Sequence, residues 1–322
     1  MIQKHDSNFP AMHPPIGMVA GSRIDFSRYC VISIWFGCNN RCAICMLGNV
    51  RNRLPGIGFD RYHQAILAVR RNGHYDNLIL SGGEVTTFDF LDQYVRDAAS
   101  LDWFKKIQIQ TNGRRLSDDG YLDHLIDAGV NEFFVSLHGL ADTHDASTGV
   151  AGSFNQTVAG LQNLSRRQVN VISNTVLTRN NVADLPEFFR FLGQTCVGEM
   201  HLWNYFPMEA VDRRNLIVPL GDLVSIMPEL RKIALDAGKV VVLKSFPLCL
   251  PAEPPVYLDS IFPQTVLPDL FWREFGRCEF GQCIHREAGR CPTNECWGLC
   301  SAYIKKYGDE RDLLRPIRPP RF

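Results

Sequence analysis

Residues 29–45 read "YCVISIWFGCNNRCAIC". The first part is aromatic and β-branched, the composition of a buried strand. It runs without a break into Cys38, Cys42 and Cys45, three thiols within eight positions. A strand that delivers a cysteine cluster at its C-terminal end calls for a fold in which strand ends converge.

Working outward, the same rhythm repeats. "FDRYHQAILAVRR" puts Tyr62, Ala65, Ile66 and Val69 on one helical face. "NLILSGGE" is a second strand, "FLDQYVRDAASL" a helix and "IQIQTNG" a third strand. "SDDGYLDHLIDAG" reads as a helix opened by Ser117 and closed by Gly129. Strand "EFFVSLHG", a helix from Ser153, strand "VNVISNTVLT", a helix capped by Asp184 and strand "EMHLWNYF" follow. Parallel strands need crossover helices, so this succession predicts an α/β protein with a partial (β/α)6 barrel. The expected divisions are an extension over 1–28, the barrel over 29–220, and a cysteine-rich module with its tail over 221–322.

Composition narrows the function classes. With 34 basic and 34 acidic residues the formal charge is zero, which gives no electrostatic argument for a nucleic-acid partner or an anionic membrane. The N-terminus lacks the apolar core of a signal peptide, and no run reaches the ~18 apolar residues of a membrane span. Eleven cysteines without such a signal point to a reducing cytoplasm, where thiol clusters more often mean metal than disulfide.

In β/α barrels the functional face lies at the C-terminal strand ends. Here those ends carry Ser81–Glu84, Thr111–Gly113, Ser136–Gly139, Asn174 and Asn204. Singly, such residues make turns; together they describe a site. Closed zinc sites use four ligands. A [4Fe–4S] cluster held by three thiolates instead leaves one iron open to a further ligand.

C-x3-C-x2-C after a first strand, with "SGGE" one strand later, resembles the radical S-adenosylmethionine superfamily over about residues 29–206. The resemblance implies a [4Fe–4S] cluster on Cys38, Cys42 and Cys45, with S-adenosylmethionine on its fourth iron. It places Ser81, Gly82, Gly83 and Glu84 at the methionine amine, with Thr111 and Asn112 beside them. Ser136 and Asn174 would meet carboxylate and ribose, and Ile44 and Leu177 the adenine. It implies reductive cleavage to a 5′-deoxyadenosyl radical that abstracts hydrogen from substrate, with a flavodoxin- or ferredoxin-type electron donor. Glu84, His138 and Tyr205 are the expected catalytic residues. Strand alternation is read as turning one of Trp203 and Tyr205 inward, and His144 as an alternative contact to His138.

Six more cysteines lie towards the C-terminus. "FPLCLP" and "CWGLCSAYIKKYG" resemble the auxiliary-cluster modules (SPASM and twitch types) of some radical enzymes, although the spacing departs from theirs. Cys249, Cys278, Cys283, Cys291 and Cys296 are the candidate ligands of a second [4Fe–4S] cluster, with structural zinc as the other reading. Cys30 and Cys196 read as buried small hydrophobes. The expected substrate is a small molecule such as a sugar, nucleoside or amino-acid derivative. A peptide-modifying enzyme and a non-catalytic iron–sulfur or zinc protein are the competing readings.

Overall fold

The structure is a computed structural model that describes residues 23–48, 50–293 and 295–317. Strand β1 (Tyr29–Trp35) is buried along nearly its whole length. Its side chains alternate between two cores. Tyr29 and Val31 face inward with Phe26, Ile79, Phe134 and Ile172. Cys30, Ile32 and Ile34 face outward into a larger cluster beneath the helices. Burial on both faces is what a parallel sheet covered by crossover helices requires.

Helix α1 (Phe59–Asn72) leads to β2 (Asn77–Gly82), α2 (Leu91–Ser100) to β3 (Lys106–Thr111), and α3 (Asp119–Ala128) to β4 (Glu132–Ser136). Then come α4 (Ala141–Thr148), α5 (Ser153–Leu164), β5 (Asn170–Leu177), α6 (Leu185–Gly193) and β6 (Glu199–Asn204). Every neighbouring pair from β1 to β6 is parallel. The predicted six-stranded partial barrel is therefore present. Asp118, not Ser117, caps α3, its carboxylate accepting from the Tyr121 amide at 3.1 Å. Residues 141–148 form α4, a helix whose weak amphipathicity leaves no periodic signal in the sequence.

The sheet runs across the boundary expected at residue 220. After α7 (Leu220–Ala237), β7 (Val240–Lys244) pairs with β6 and β8 (Val256–Asp259) with β7, while β9 (Gln264–Val266) pairs with β1 at the opposite edge. The result is one nine-stranded parallel sheet in the order β8-β7-β6-β5-β4-β3-β2-β1-β9. Residues 260–263 alone carry the chain from one edge to the other, a reach of at most about 17 Å at ~3.4 Å per residue. Lys244, buried at the end of β7, pins this crossing. Its ammonium pairs with Asp259 at 3.1 Å and donates to the Ile261 carbonyl at 2.5 Å.

Beyond β9 lie three short helices, α8 (Asp269–Gly276), α9 (Ile284–Glu287) and α10 (Ser301–Tyr307), and the cysteine-rich stretch between them. Residues 1–22 of the expected N-terminal extension and the last residues of the tail, 318–322, lie outside the described residues. No helix among the described residues is long and apolar enough to cross a membrane.

Candidate active site

The register of β1 against β2 shifts between Ser33 and Trp35, so β1 leaves the sheet as it enters the cysteine loop. The end of β2 closes on that exit: the Gly83 amide donates to the Trp35 carbonyl at 2.7 Å, and the Glu84 amide to the Gly37 carbonyl at 2.8 Å. A Cβ at Gly82 would sit 1.9 Å from the Trp35 oxygen, and one at Gly83 2.3 Å from the Gly37 oxygen. The two glycines of "SGGE" are thus required by strand packing, before any ligand is considered.

The loop itself is held from several sides. The amides of Arg41 and Ala43 donate to the carbonyls of Thr148 and Ser147 at the end of α4, at 2.8 and 3.2 Å. After β3, Arg114 donates to the Asn39 carbonyl at 2.9 Å and to Asn40 Oδ1 at 2.8 Å, while Asn112 donates to Asn39 Oδ1 at 2.7 Å. Arg51 binds the Asn40 carbonyl at 3.0 Å, Asn52 accepts from the Cys38 amide at 3.0 Å, and Arg214 binds the Ala43 carbonyl. Burial raises the thiol of each of the three cysteines, Cys42 up to about 12, while the Arg51 charge works in the opposite direction.

Cys38, Cys42 and Cys45 face a cavity of about 780 Å³. Ile44, Ser81, Gly82, Gly83, Glu84, Thr111, Asn112, Ser136, His138 and Asn174 line it too, so most of the predicted site residues share one space. Two do not. Leu177 is buried in the outer core; Asn174 and Val176 share the inward face of β5, and an odd step from Asn174 turns Leu177 away. Tyr205 is also packed in the outer core, its hydroxyl pushed up to about 12 by burial. Strand β6 stops at Asn204, so alternation no longer places Tyr205, whereas Trp203 does line the cavity.

Glu84 is the most heavily bonded of these residues. Its Oε1 accepts from the Thr86 amide at 3.1 Å and from the hydroxyls of Thr86 and Thr111, each at 2.6 Å; Oε2 accepts from the Asn112 amide at 2.5 Å. Burial raises its carboxyl, and these donors oppose that shift. Oε2, with a single donor, retains capacity for another partner. Across the cavity Asn174 donates to Ser136 Oγ at 3.3 Å, and its side-chain oxygen Oδ1 is buried without a partner.

His138 accepts the Val176 amide on Nδ1 at 3.3 Å, so a neutral ring carries its proton on Nε2. His144, on α4, accepts the His138 amide on Nδ1 at 3.1 Å. Burial lowers both, His138 to about 3 and His144 to about 4. Unfolded, each would bind a proton near 6.5. The unfolded chain therefore binds more protons at lower pH. Their contribution to stability is complete above pH ~6.5 and is lost as pH falls towards the folded values. Denaturation of the metal-free protein at pH 7 and pH 5 is expected to show a loss of about 1–2 kcal/mol per histidine, reduced in His144→Asn.

The second group of cysteines divides. Cys249, Cys283, Cys291 and Cys296 surround one small void together with His285 and Arg286. Cys296 Sγ accepts the amides of Leu248 and Gly298, each at 3.4 Å. Cys278 does not join them: it is buried near Cys300 with its thiol donating to the Pro207 carbonyl at 3.2 Å. Linear spacing gave no means of separating it from the others. Among the described residues, no three His, Cys, Asp or Glu side chains meet closely enough to hold a single metal ion. Three thiols in the barrel and four in the second group match the thiolate counts of an open and a fully ligated [4Fe–4S] cluster.

Sequence reasoning missed the aromatic part of this lining. Phe206, Phe262, Phe275 and Trp297, from segments beyond β6, face the same cavity. Their spacing is irregular and their convergence depends on the crossing at 260–263, so no local pattern announced them.

A parallel β/α barrel with a cysteine loop after its first strand and a GGE turn after its second defines a class of iron–sulfur enzymes. The Radical SAM superfamily model matches residues 32–192, and the chain belongs to that superfamily. Its members use a [4Fe–4S] cluster and S-adenosylmethionine. Two curated relatives are the pre-heme d1 synthase of Dinoroseobacter shibae, 27% identical over 51% of this chain, and the AdoMet-dependent heme synthase of Methanosarcina barkeri, 27% identical over 57%. The matched regions span 40% and 52% of those two proteins. Streptococcus suis SuiB bound to precursor peptide SuiA shares the fold at a TM-score of 0.52 and 19% identity, covering 66% of this chain and 46% of SuiB.

Proposed function

We propose that this protein cleaves S-adenosylmethionine reductively and directs the resulting radical at a small-molecule substrate in the same cavity. Cys38, Cys42 and Cys45 would hold the cluster, leaving one iron for the amine and carboxylate of S-adenosylmethionine. Bound there, such a cluster would supply the electron for reductive cleavage of the sulfonium. The remaining work belongs to the chain. Glu84 Oε2 has the free capacity to receive the amine, Ser136 and Asn174 offer polar groups to carboxylate and ribose, and Ile44 and Val176 give an apolar border to the adenine. His138, neutral and fixed by the Val176 amide, presents a donor without adding charge. Cys249, Cys283, Cys291 and Cys296 would hold an auxiliary cluster, and a flavodoxin- or ferredoxin-type protein would supply the electron.

The observation that carries this reading is the shared cavity: three thiols, the GGE turn and an aromatic wall bound one space. The names of the two curated relatives, both heme-type synthases, support a small-molecule substrate. The test is anaerobic reconstitution with iron and sulfide, reduction with dithionite, and assay for 5′-deoxyadenosine. Its formation from S-adenosylmethionine is expected. A fully loaded, reducible protein that yields none would leave a redox or regulatory role in its place.

A further inference from the structure

The cavity has two halves of different chemistry. Its charged lining residues, Arg51 and Glu84, stand at the cysteine end, and both are engaged by the protein itself. The other half is built from rings. Trp203 meets Phe262 edge-on at 5.4 Å, Phe262 lies 4.2 Å from Trp297, Trp297 meets Phe275 at 5.8 Å, and Phe275 meets Phe206 edge-on at 5.9 Å. Phe134 adds a further ring from β4. Trp272, 42% exposed, stands at the outer edge of the same lining.

Within that wall one polar group is unspent. The indole N–H of Trp203 is buried and has no partner. Buried donors are normally satisfied, and each exception asks for an explanation. The Trp203 ring lies on the inward face of β6 and borders the cavity, so a small shift of the wall brings its N–H within reach of an acceptor on a ligand. Lys244, behind Trp203 and Phe262, is neutralised by Asp259 and does not line the cavity.

Size sets a second limit. Pockets of ~300–1,000 Å³ usually enclose one drug-sized ligand. Here about 780 Å³ must take S-adenosylmethionine, itself of that size, as well as the reacting part of the substrate. What remains beside it favours a compact reacting group.

We propose that the aromatic half is a specificity pocket for one compact, uncharged aromatic group of the substrate, with Trp203 Nε1–H donating to an acceptor on that group. A carboxylate entering this half would lose its water and meet no cation. Aromatic rings would gain edge and face contacts with the wall. This deepens the functional reading above and rests on the cavity being the place where the radical is delivered.

The experiment uses the reconstituted holoenzyme with S-adenosylhomocysteine bound and three probes: N-acetyl-tyrosinamide, N-acetyl-phenylalaninamide and N-acetyl-aspartamide carrying a free side-chain carboxylate. Binding is followed by saturation-transfer NMR titration. Both aromatic probes should bind at least tenfold more tightly than the aspartyl probe. Trp203→Phe keeps the ring and removes the N–H. It should weaken the tyrosyl probe about fivefold, as for a lost hydrogen bond, and leave the phenyl probe within about twofold. A general disturbance of the pocket would move both equally and overturn the assignment. So would equal binding of the aspartyl probe, or binding of none. Wild-type protein that cleaves S-adenosylmethionine yet binds no aromatic probe sinks this inference alone. Protein that binds the aromatic probes but never cleaves S-adenosylmethionine supports the pocket and sinks the function.

Discussion

Replacing Cys38, Cys42 and Cys45 together by alanine is expected to abolish 5′-deoxyadenosine formation while the protein stays folded and keeps about half of its iron. Two [4Fe–4S] clusters correspond to about eight irons per chain, and loss of the barrel cluster leaves about four. The fold should survive because the loop is fixed chiefly by groups other than the thiols: the carbonyls of Ser147 and Thr148, and the side chains of Arg51, Asn52, Asn112, Arg114 and Arg214. Iron and sulfide analysis with Mössbauer spectroscopy checks the metal, and product assay checks the chemistry. A triple variant with no iron at all, or with zinc at the second group, would remove the auxiliary cluster and leave the barrel site standing. Cys278→Ala should keep the full complement, because Cys278 lies apart from the four thiols around the second void.

The second large effect concerns Glu84. Glu84→Ala would strip the partners from four donors in the buried joint between the ends of β2 and β3. The two hydroxyls can turn to other acceptors, but the amides of Thr86 and Asn112 cannot. A loss of about 3–5 kcal/mol is expected from urea unfolding of the metal-free protein, since an unsatisfied buried group typically costs ~1–3 kcal/mol. Glu84→Gln retains the acceptor at Oε1 and should lose less. A change below ~1 kcal/mol in Glu84→Ala would confine the residue to ligand contact. Such a result would conflict with its four hydrogen bonds.

These two cases show what was legible in the residues. The cysteine loop, "SGGE" and the six strands of the partial barrel are local patterns, carried by spacing and by strand composition, and all were readable. The reason for the glycines was not. Their closest neighbours are backbone atoms of Trp35, at the end of β1, and of Gly37 just beyond it, more than 40 positions earlier, and that approach exists only in the folded sheet. The same limit hid β8 and β9. At four and three residues they are too short to show a period, and their pairing depends on the free edges beside β7 and β1. Leu177 and Tyr205 lie away from the cavity for a simpler reason: an odd step from Asn174 turns Leu177 outward, and β6 ends before Tyr205. Cys278 could be separated from its neighbours only once the chain between them had been folded.

The bracing of the cysteine loop bears on how such a site survives air. Iron–sulfur centres open to small molecules are vulnerable to oxidants, and an ion-free site that unravelled would be handed to proteases. Here the conformational entropy of residues 38–45 is surrendered during folding, to carbonyls, amides and guanidinium groups that need no ion. Loss of a cluster from Cys38, Cys42 and Cys45 would then be an event within the native state, and repair a matter of returning iron and sulfide to a mould that has kept its shape.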